Sequence, residues 1–184
     1  MTQPNLEKEL KFERLKIGLR NEPQYLDDIR ECFIDFGEIN KTVKHNDPFD
    51  FIGQDCLFEL KTRFCNFNEH TDTMIGDDKA KLGLKMIEAN KNLQVFFLFA
   101  YHDKGLFFWE LTREKYDKLV VEKTGCPMRK TGKKDYLQIP MKQLTYLCDT
   151  KPIMSEKYLK LKQQYDQSRG IGVCLLPHNK RPAF

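Results

Sequence analysis

The chain lacks any stretch approaching the roughly 20 consecutive apolar residues that a membrane-spanning helix requires. Its opening residues, MTQPNLEKELKFERLK, carry too much charge for the apolar core of a secretory signal peptide. Six cysteines stand at 32, 56, 65, 126, 148 and 174, and no two have C-x-x-C spacing. A chain of 184 residues can bury a core without disulfides, so this scatter points to a soluble protein of a reducing, intracellular compartment, without a membrane partner. Internal repeats and low-complexity tracts are also missing. So is a strong charge bias: 31 basic and 27 acidic residues leave a net charge of +4, too little to demand a nucleic-acid partner but compatible with a local basic surface. Cys65, His70 and Asp72 lie close together, but the second half of a four-ligand zinc site is absent, and a surface loop is expected. His102 and His178 have no partner visible in the sequence; His45, just before the 49–64 hairpin, is placed to approach it, with a plain strand-end histidine as the default.

What is present is an alternation of helical and extended patterns. Residues 1–20 are ambiguous between helix and strand. Asn21 followed by Glu22-Pro23 reads as a helix start, with Leu26, Ile29, Phe33 and Phe36 at helical spacing and Gly37 as the stop. A short strand is expected at 43–45 and a hairpin in FDFIGQDCLFELKTRF (49–64). A polar loop follows, then a helix over 78–91 with Leu82, Met86 and Ala89 on one stripe. LQVFFLFAY (93–101) has the continuous apolarity of a central strand covered on both faces. HDKG turns the chain into LFFWEL (106–111), with Trp109 expected in the core. A helix from Thr112 to about Lys123, a basic loop (126–135), a short strand at YLQIP, a short helix at MKQLTYL and a last helix capped by Ser155 complete the pass. The pattern predicts an α/β fold with a mixed central sheet flanked by helices. Its expected division is a first domain over 1–150 and a C-terminal helix and tail over 151–184.

The hairpin at 49–64 carries charges where a buried hairpin has least use for them. Gly53-Gln54 suits a two-residue turn of type II′. Strand alternation then puts Phe49, Phe51, Cys56, Phe58 and Leu60 on one face and Asp50, Ile52, Asp55, Leu57, Glu59 and Lys61 on the other, with Asp50 and Glu59 as diagonal neighbours. Two carboxylates on a rigid sheet suit a hard divalent cation, and a neighbouring lysine can orient or deprotonate an attacking water. The alternative is a Glu59–Lys61 ion pair that merely protects a half-exposed edge.

Asp50, eight residues, then Glu59-Leu60-Lys61 resembles the motif of the PD-(D/E)XK nuclease superfamily. DPFD resembles its Pro-Asp half, with Phe49 inserted between Pro48 and Asp50. Hairpin parity favours Asp50 over Asp47 as the equivalent acid. The helix–strand–hairpin–helix–strand order over roughly 20–111 also resembles the family core. The nearest likeness is to small resolvase-like nucleases, including versions carried by large DNA viruses. The resemblance implies a restriction-endonuclease-like core that hydrolyses phosphodiester bonds in DNA with Mg²⁺ or Mn²⁺. Asp50, Glu59 and the Leu60 carbonyl would serve as ligands and Lys61 would act on the water; a homodimer is allowed. It also implies a further acid near the start of the first helix, for which Glu22, one turn before Leu26, is the candidate; a helix-dipole charge is the alternative. Lys79 is a candidate phosphate contact or a snorkelling helix-end lysine. Arg129, Lys130, Lys133 and Lys134 are candidate nucleic-acid contacts or a solvated loop. The rival function is a catalytically inactive nucleic-acid-binding or assembly protein with the same fold, and a purely structural domain is the third.

Overall fold

The computed structural model describes residues 3–43, 47–125 and 133–169. It divides into two compact units, Gly18–Ile153 and the pair of segments Met1–Ile17 and Met154–Phe184. The first helix, α1 (Gln3–Cys32), runs through both. In the larger unit it is followed by a 3₁₀ turn (Ile34–Phe36), β1 (Asn40–Lys41), β2 (Phe51–Ile52), β3 (Cys56–Arg63), β4 (Asp72–Gly76), α2 (Asp77–Ala89), β5 (Gln94–Tyr101), β6 (Gly105–Leu111), α3 (Arg113–Asp117), β7 (Val120–Gly125), β8 (Lys133–Pro140), a second 3₁₀ turn (Met141–Gln143) and β9 (Thr145–Cys148). The fold is α/β. A mixed six-stranded sheet has the order β1-β2-β3-β5-β6-β9, and a three-stranded antiparallel sheet has the order β4-β8-β7. Among the described residues the one parallel pair is β3 with β5, in register from Cys56↔Gln94 to Arg63↔Tyr101, and α2 lies in the crossover between them.

Both faces of the large sheet are covered, which is why its central strands are apolar almost throughout. On one face Tyr25 and Ile29 of α1, with Phe33 just after it, join Phe51, Phe58, Leu60, Phe96 and Leu98. Phe33 meets Phe58 edge-on at 4.9 Å, and Phe58 stacks on Phe96 at 5.2 Å. On the other face Ala80 and Leu84 of α2 and Ile75, Leu137 and Ile139 of the small sheet pack with Leu57, Val95, Phe97 and Trp109. At Gly83 a Cβ would stand 2.7 Å from Leu111 Cδ2 and 3.2 Å from Val95 Cγ1, so glycine lets α2 come down onto β5 and β6.

Several local expectations are corrected. The helix does not begin at Asn21: it runs unbroken from Gln3, with Pro23 inside it. Asn21 is buried and clamps the backbone of Ile153, Nδ2 donating to its carbonyl at 3.1 Å and Oδ1 accepting its N–H at 2.7 Å. The early strand lies at Asn40–Lys41 and not at 43–45, of which 44 and 45 fall outside the described residues. The polar segment after the hairpin contains β4. The inner stripe of α2 is Ala80, Gly83 and Leu84, with Ile87 partly buried, whereas Leu82 and Ala89 are exposed. The helix after Thr112 stops at Asp117 and gives way to β7, and the segment read as a short helix at 141–147 is a 3₁₀ turn leading into β9.

In the smaller unit α1 contributes buried Leu6 and Leu10, and the last helix, α4 (Glu156–Ser168), contributes Tyr158 and Leu161. Ser155 caps α4 as its sequence predicts, Oγ accepting the Tyr158 N–H at 3.1 Å. The tail from 170 onward lies outside the described residues. Among the described residues no helix is long and apolar enough to cross a membrane.

Phe58 is wholly buried between two aromatic rings, whereas Ile52 on the adjoining strand is 47% exposed. Phe58→Ala is therefore expected to lower the unfolding free energy by about 3–5 kcal/mol, and Ile52→Ala to change it by less than about 1 kcal/mol. Urea titrations of the two variants beside the wild type measure both.

Candidate active site

The β2–β3 hairpin turns through an even number of residues, centred one position later than Gly53-Gln54. Phe51 pairs with Phe58 and Ile52 with Leu57, and the Gly53 N–H donates to the Cys56 carbonyl at 2.9 Å, leaving Gln54-Asp55 as the loop. Gly53 is not in the left-handed region that a type II′ turn would require. Its role is room: a Cβ there would meet Cys56 Sγ at 2.6 Å. Moving the centre by one residue changes the register by two, so the side-chain parity of the paired residues Phe51, Ile52, Leu57 and Phe58 survives.

The alternation fails in one place. The Asp50 N–H donates to the Phe58 carbonyl at 2.9 Å, the residue that also pairs with Phe51. Two residues thus oppose one, as in a β-bulge. Phe49 consequently packs with Leu57 and Phe97, on the opposite face from Phe51, which corrects its expected position. Asp50 is left at the end of β2 with Oδ2 accepting the Leu60 N–H at 2.7 Å. Thr42 holds this bend: its N–H donates to the Asp50 carbonyl at 3.0 Å and its hydroxyl to the Phe49 carbonyl at 2.8 Å. The N–H and C=O of a strand residue point the same way, so the Leu60 carbonyl is directed toward the Asp50 side.

Glu59 is buried, 2% exposed, in the middle of β3. Each carboxylate oxygen has an ammonium: Lys61 Nζ contacts Oε1, and Lys79 Nζ lies 2.9 Å from Oε2. Lys61 reaches it by strand alternation along the same face. Lys79 reaches it from the first turns of α2, one turn before Gly83, and also donates to the Pro48 carbonyl while lying 5.6 Å from the centre of the Phe49 ring. Lys79 is thus turned inward onto Glu59 and not outward to a groove.

Glu22 sits in mid-helix on α1, and its Oε2 lies 2.7 Å from Lys41 Nζ. Its charge nonetheless reaches Asp50, whose carboxyl is pushed up to about 6. Burial is the main cause, with the Glu59 charge next; Lys61 and the Leu60 N–H oppose the shift, and Glu22 adds to it. Lys41 and Thr42 were not legible as site residues, because only the β1–β2 register, Lys41↔Phe51, brings them there.

Of the candidate cationic loop, Arg129 and Lys130 lie outside the described residues, and Lys133 has only its place at the start of β8. Lys134 pairs with Asp78 at 2.9 Å, near the N-terminus of α2. Among the described residues no group of three or more His, Cys, Asp or Glu side chains is placed to hold a metal ion. This applies to Glu22, Asp50 and Glu59 and equally to Cys65, His70 and Asp72.

A carboxyl raised from 3.8 to about 6 makes the folded state less stable as pH rises. The unfolded group ionises near its ordinary value while the folded one holds its proton, so the penalty grows between about pH 4 and pH 6 and is complete above, at roughly 3 kcal/mol. Asp50→Asn keeps an acceptor for the Leu60 N–H and removes this penalty. Its stability relative to wild type is expected to improve by about 1–3 kcal/mol between pH 4 and pH 7.5. Denaturant unfolding at both pH values measures it; a pH-independent difference contradicts the burial of this charge.

No protein-family model matches the chain and no curated protein is similar to it in sequence, so the residues themselves carry the functional reading.

Proposed function

We propose that the chain is a divalent-metal-dependent nuclease of the PD-(D/E)XK type that hydrolyses phosphodiester bonds in DNA. The observation that carries this reading is the Asp50 carboxylate, held by the Leu60 N–H and close enough to feel the Glu59 charge, with Lys61 beside Glu59 and the Leu60 carbonyl directed to the same side. The order α1, β1, β2–β3, α2, β5, with β3 parallel to β5, supports the family resemblance; β4 is an addition before α2.

The donor set fits Mg²⁺ or Mn²⁺. Two carboxylates and a backbone carbonyl are hard oxygen ligands, of the number such ions take from a protein before water and substrate phosphate complete the shell. Asp50 in particular carries a charge that the protein alone does not compensate, and a cation beside it would bring its carboxyl back toward the ordinary range. Asp50, Glu59 and the Leu60 carbonyl would hold the ion, which when bound supplies Lewis-acid polarisation of the phosphate and activation of water. Lys61, anchored on Glu59, holds a positive charge next to the reacting phosphate and orients the water. Glu22 acts at longer range, through the field at Asp50 and through its hold on Lys41.

The second reading is a nucleic-acid-binding or assembly protein that keeps the fold without cleavage. It is favoured by the occupation of both Glu59 oxygens by lysines. Incubation with supercoiled, linear, single-stranded and branched DNA, with and without Mg²⁺ or Mn²⁺, separates the two. Metal-dependent cleavage is expected, and Lys61→Ala and Asp50→Asn are each expected to reduce it by at least about 100-fold with DNA affinity nearly kept. DNA binding without cleavage under every condition supports the second reading, and undiminished cleavage by either variant removes the assignment.

A further inference from the structure

We propose that Lys79 is a built-in counter-ion that gives up Glu59 Oε2 to the incoming metal ion and, once released, turns to the substrate phosphate, coupling metal binding to DNA binding. This inference rests on the nuclease reading. Both Glu59 oxygens carry an ammonium, so a cation approaching this carboxylate meets like charge at either oxygen. The two lysines are not equivalent. Lys61 lies two residues along the same strand and needs no movement of the fold to stay near Glu59. Lys79 comes from α2, its side chain is 30% exposed, and it already has other partners in the Pro48 carbonyl and the Phe49 ring. Leaving Glu59 therefore costs Lys79 one contact of three, and its exposed side gives the ammonium a path outward. Two like charges cannot share Oε2 closely, so the cation and Lys79 compete for it. The same repulsion, with Lys79 swung out, favours an anion between them. Lys79 thereby weakens metal binding in the absence of DNA and strengthens it in its presence.

Manganese titration by calorimetry tests this on the full chain. Lys79→Met keeps the aliphatic packing on Phe49 and removes the charge, and it is expected to bind Mn²⁺ about tenfold more tightly than wild type, in line with the loss of one charge-assisted contact. Lys79→Gln, which retains a donor for Glu59, is the second variant should the first fold poorly, and the same direction is expected. The coupling is read from short duplex affinity with and without Ca²⁺: the Ca²⁺-dependent gain in the wild type is expected to shrink at least about fivefold in either variant. In the wild type labelled with ¹³C at lysine Cε, Mg²⁺ must also shift the Lys79 resonance. Unchanged or weaker Mn²⁺ binding by the variants, or a Lys79 resonance indifferent to Mg²⁺, overturns the exchange while leaving the metal site standing, provided that Asp50→Asn abolishes Mn²⁺ binding. Mn²⁺ binding that survives Asp50→Asn, or none in the wild type, overturns the nuclease reading and the exchange together.

Discussion

The carboxylate of Glu59 is the constraint around which the larger unit is arranged. It is 2% exposed on a strand whose neighbours are Phe58 and Leu60. Burying such a charge without partners costs several kcal/mol, roughly. The partners come from two elements, Lys61 from β3 itself and Lys79 from α2. The second requires α2 to lie close to the sheet, which Gly83 permits, since a side chain there would strike Leu111 and Val95. It also requires the chain before β2 to bend so that the Pro48 carbonyl meets the same ammonium. One buried acid thereby ties together β3, the crossover helix and the bend that delivers Asp50.

That bend uses a second device. The bulge at Asp50 interrupts the strand alternation, sends Phe49 into the core under Lys79, and leaves the Asp50 carboxylate to take the Leu60 N–H in place of a backbone partner. β2 ends where the acid begins, so a side chain continues the edge that the strand gives up. From the other face α1 brings Glu22 near enough to be felt, although its nearest partner is Lys41. Glu59 with Lys61 and Lys79, and Glu22 with Lys41, thus form two ion-pair groups whose acids both act on Asp50.

The strongest patterns in the sequence were the ones that survived folding. The continuous apolarity of 95–101 is a strand buried on both faces, and the charged positions 59 and 61 share a face because they stand two residues apart on one strand. Patterns that depend on tertiary partners were not legible. Pro23 suggested a helix start, because inside a helix a proline loses a hydrogen bond and crowds the preceding turn at a cost of about 3 kcal/mol; burial of Tyr25, Ile29 and Phe33 on the sheet outweighs it. β4 was hidden in a polar segment, although Thr73 and Ile75 alternate inward with Met74 outward, a period of two that the surrounding Asn, Asp and Glu obscured. Val120 and Val121 are good strand formers, yet the preceding Arg113–Asp117 turn of helix invited continuation. At the site, the motif named Asp50, Glu59 and Lys61, but nothing local identified Lys79 as the second partner of Glu59, because that contact depends on how far α2 descends.

The energetics favour a reading in which this corner is kept for more than stability. A buried ion pair contributes less than well-packed apolar residues of the same volume in many proteins, and here the surroundings are aromatic and aliphatic enough to have accepted such residues. A structural network would also balance its members evenly. Instead Glu59 has two ammoniums, whereas Asp50 has a backbone N–H and a carboxyl held well above its ordinary range by burial and by Glu59. The cost sits on the acid at the open end of β2, beside the Leu60 carbonyl, where an added positive charge would relieve it. Stored electrostatic strain at an edge, surrounded by a rigid sheet and two covering helices, is the arrangement expected of groups that await a ligand. On the proposed reading a divalent cation would supply the missing charge, and a phosphate group would accommodate the lysine displaced by it.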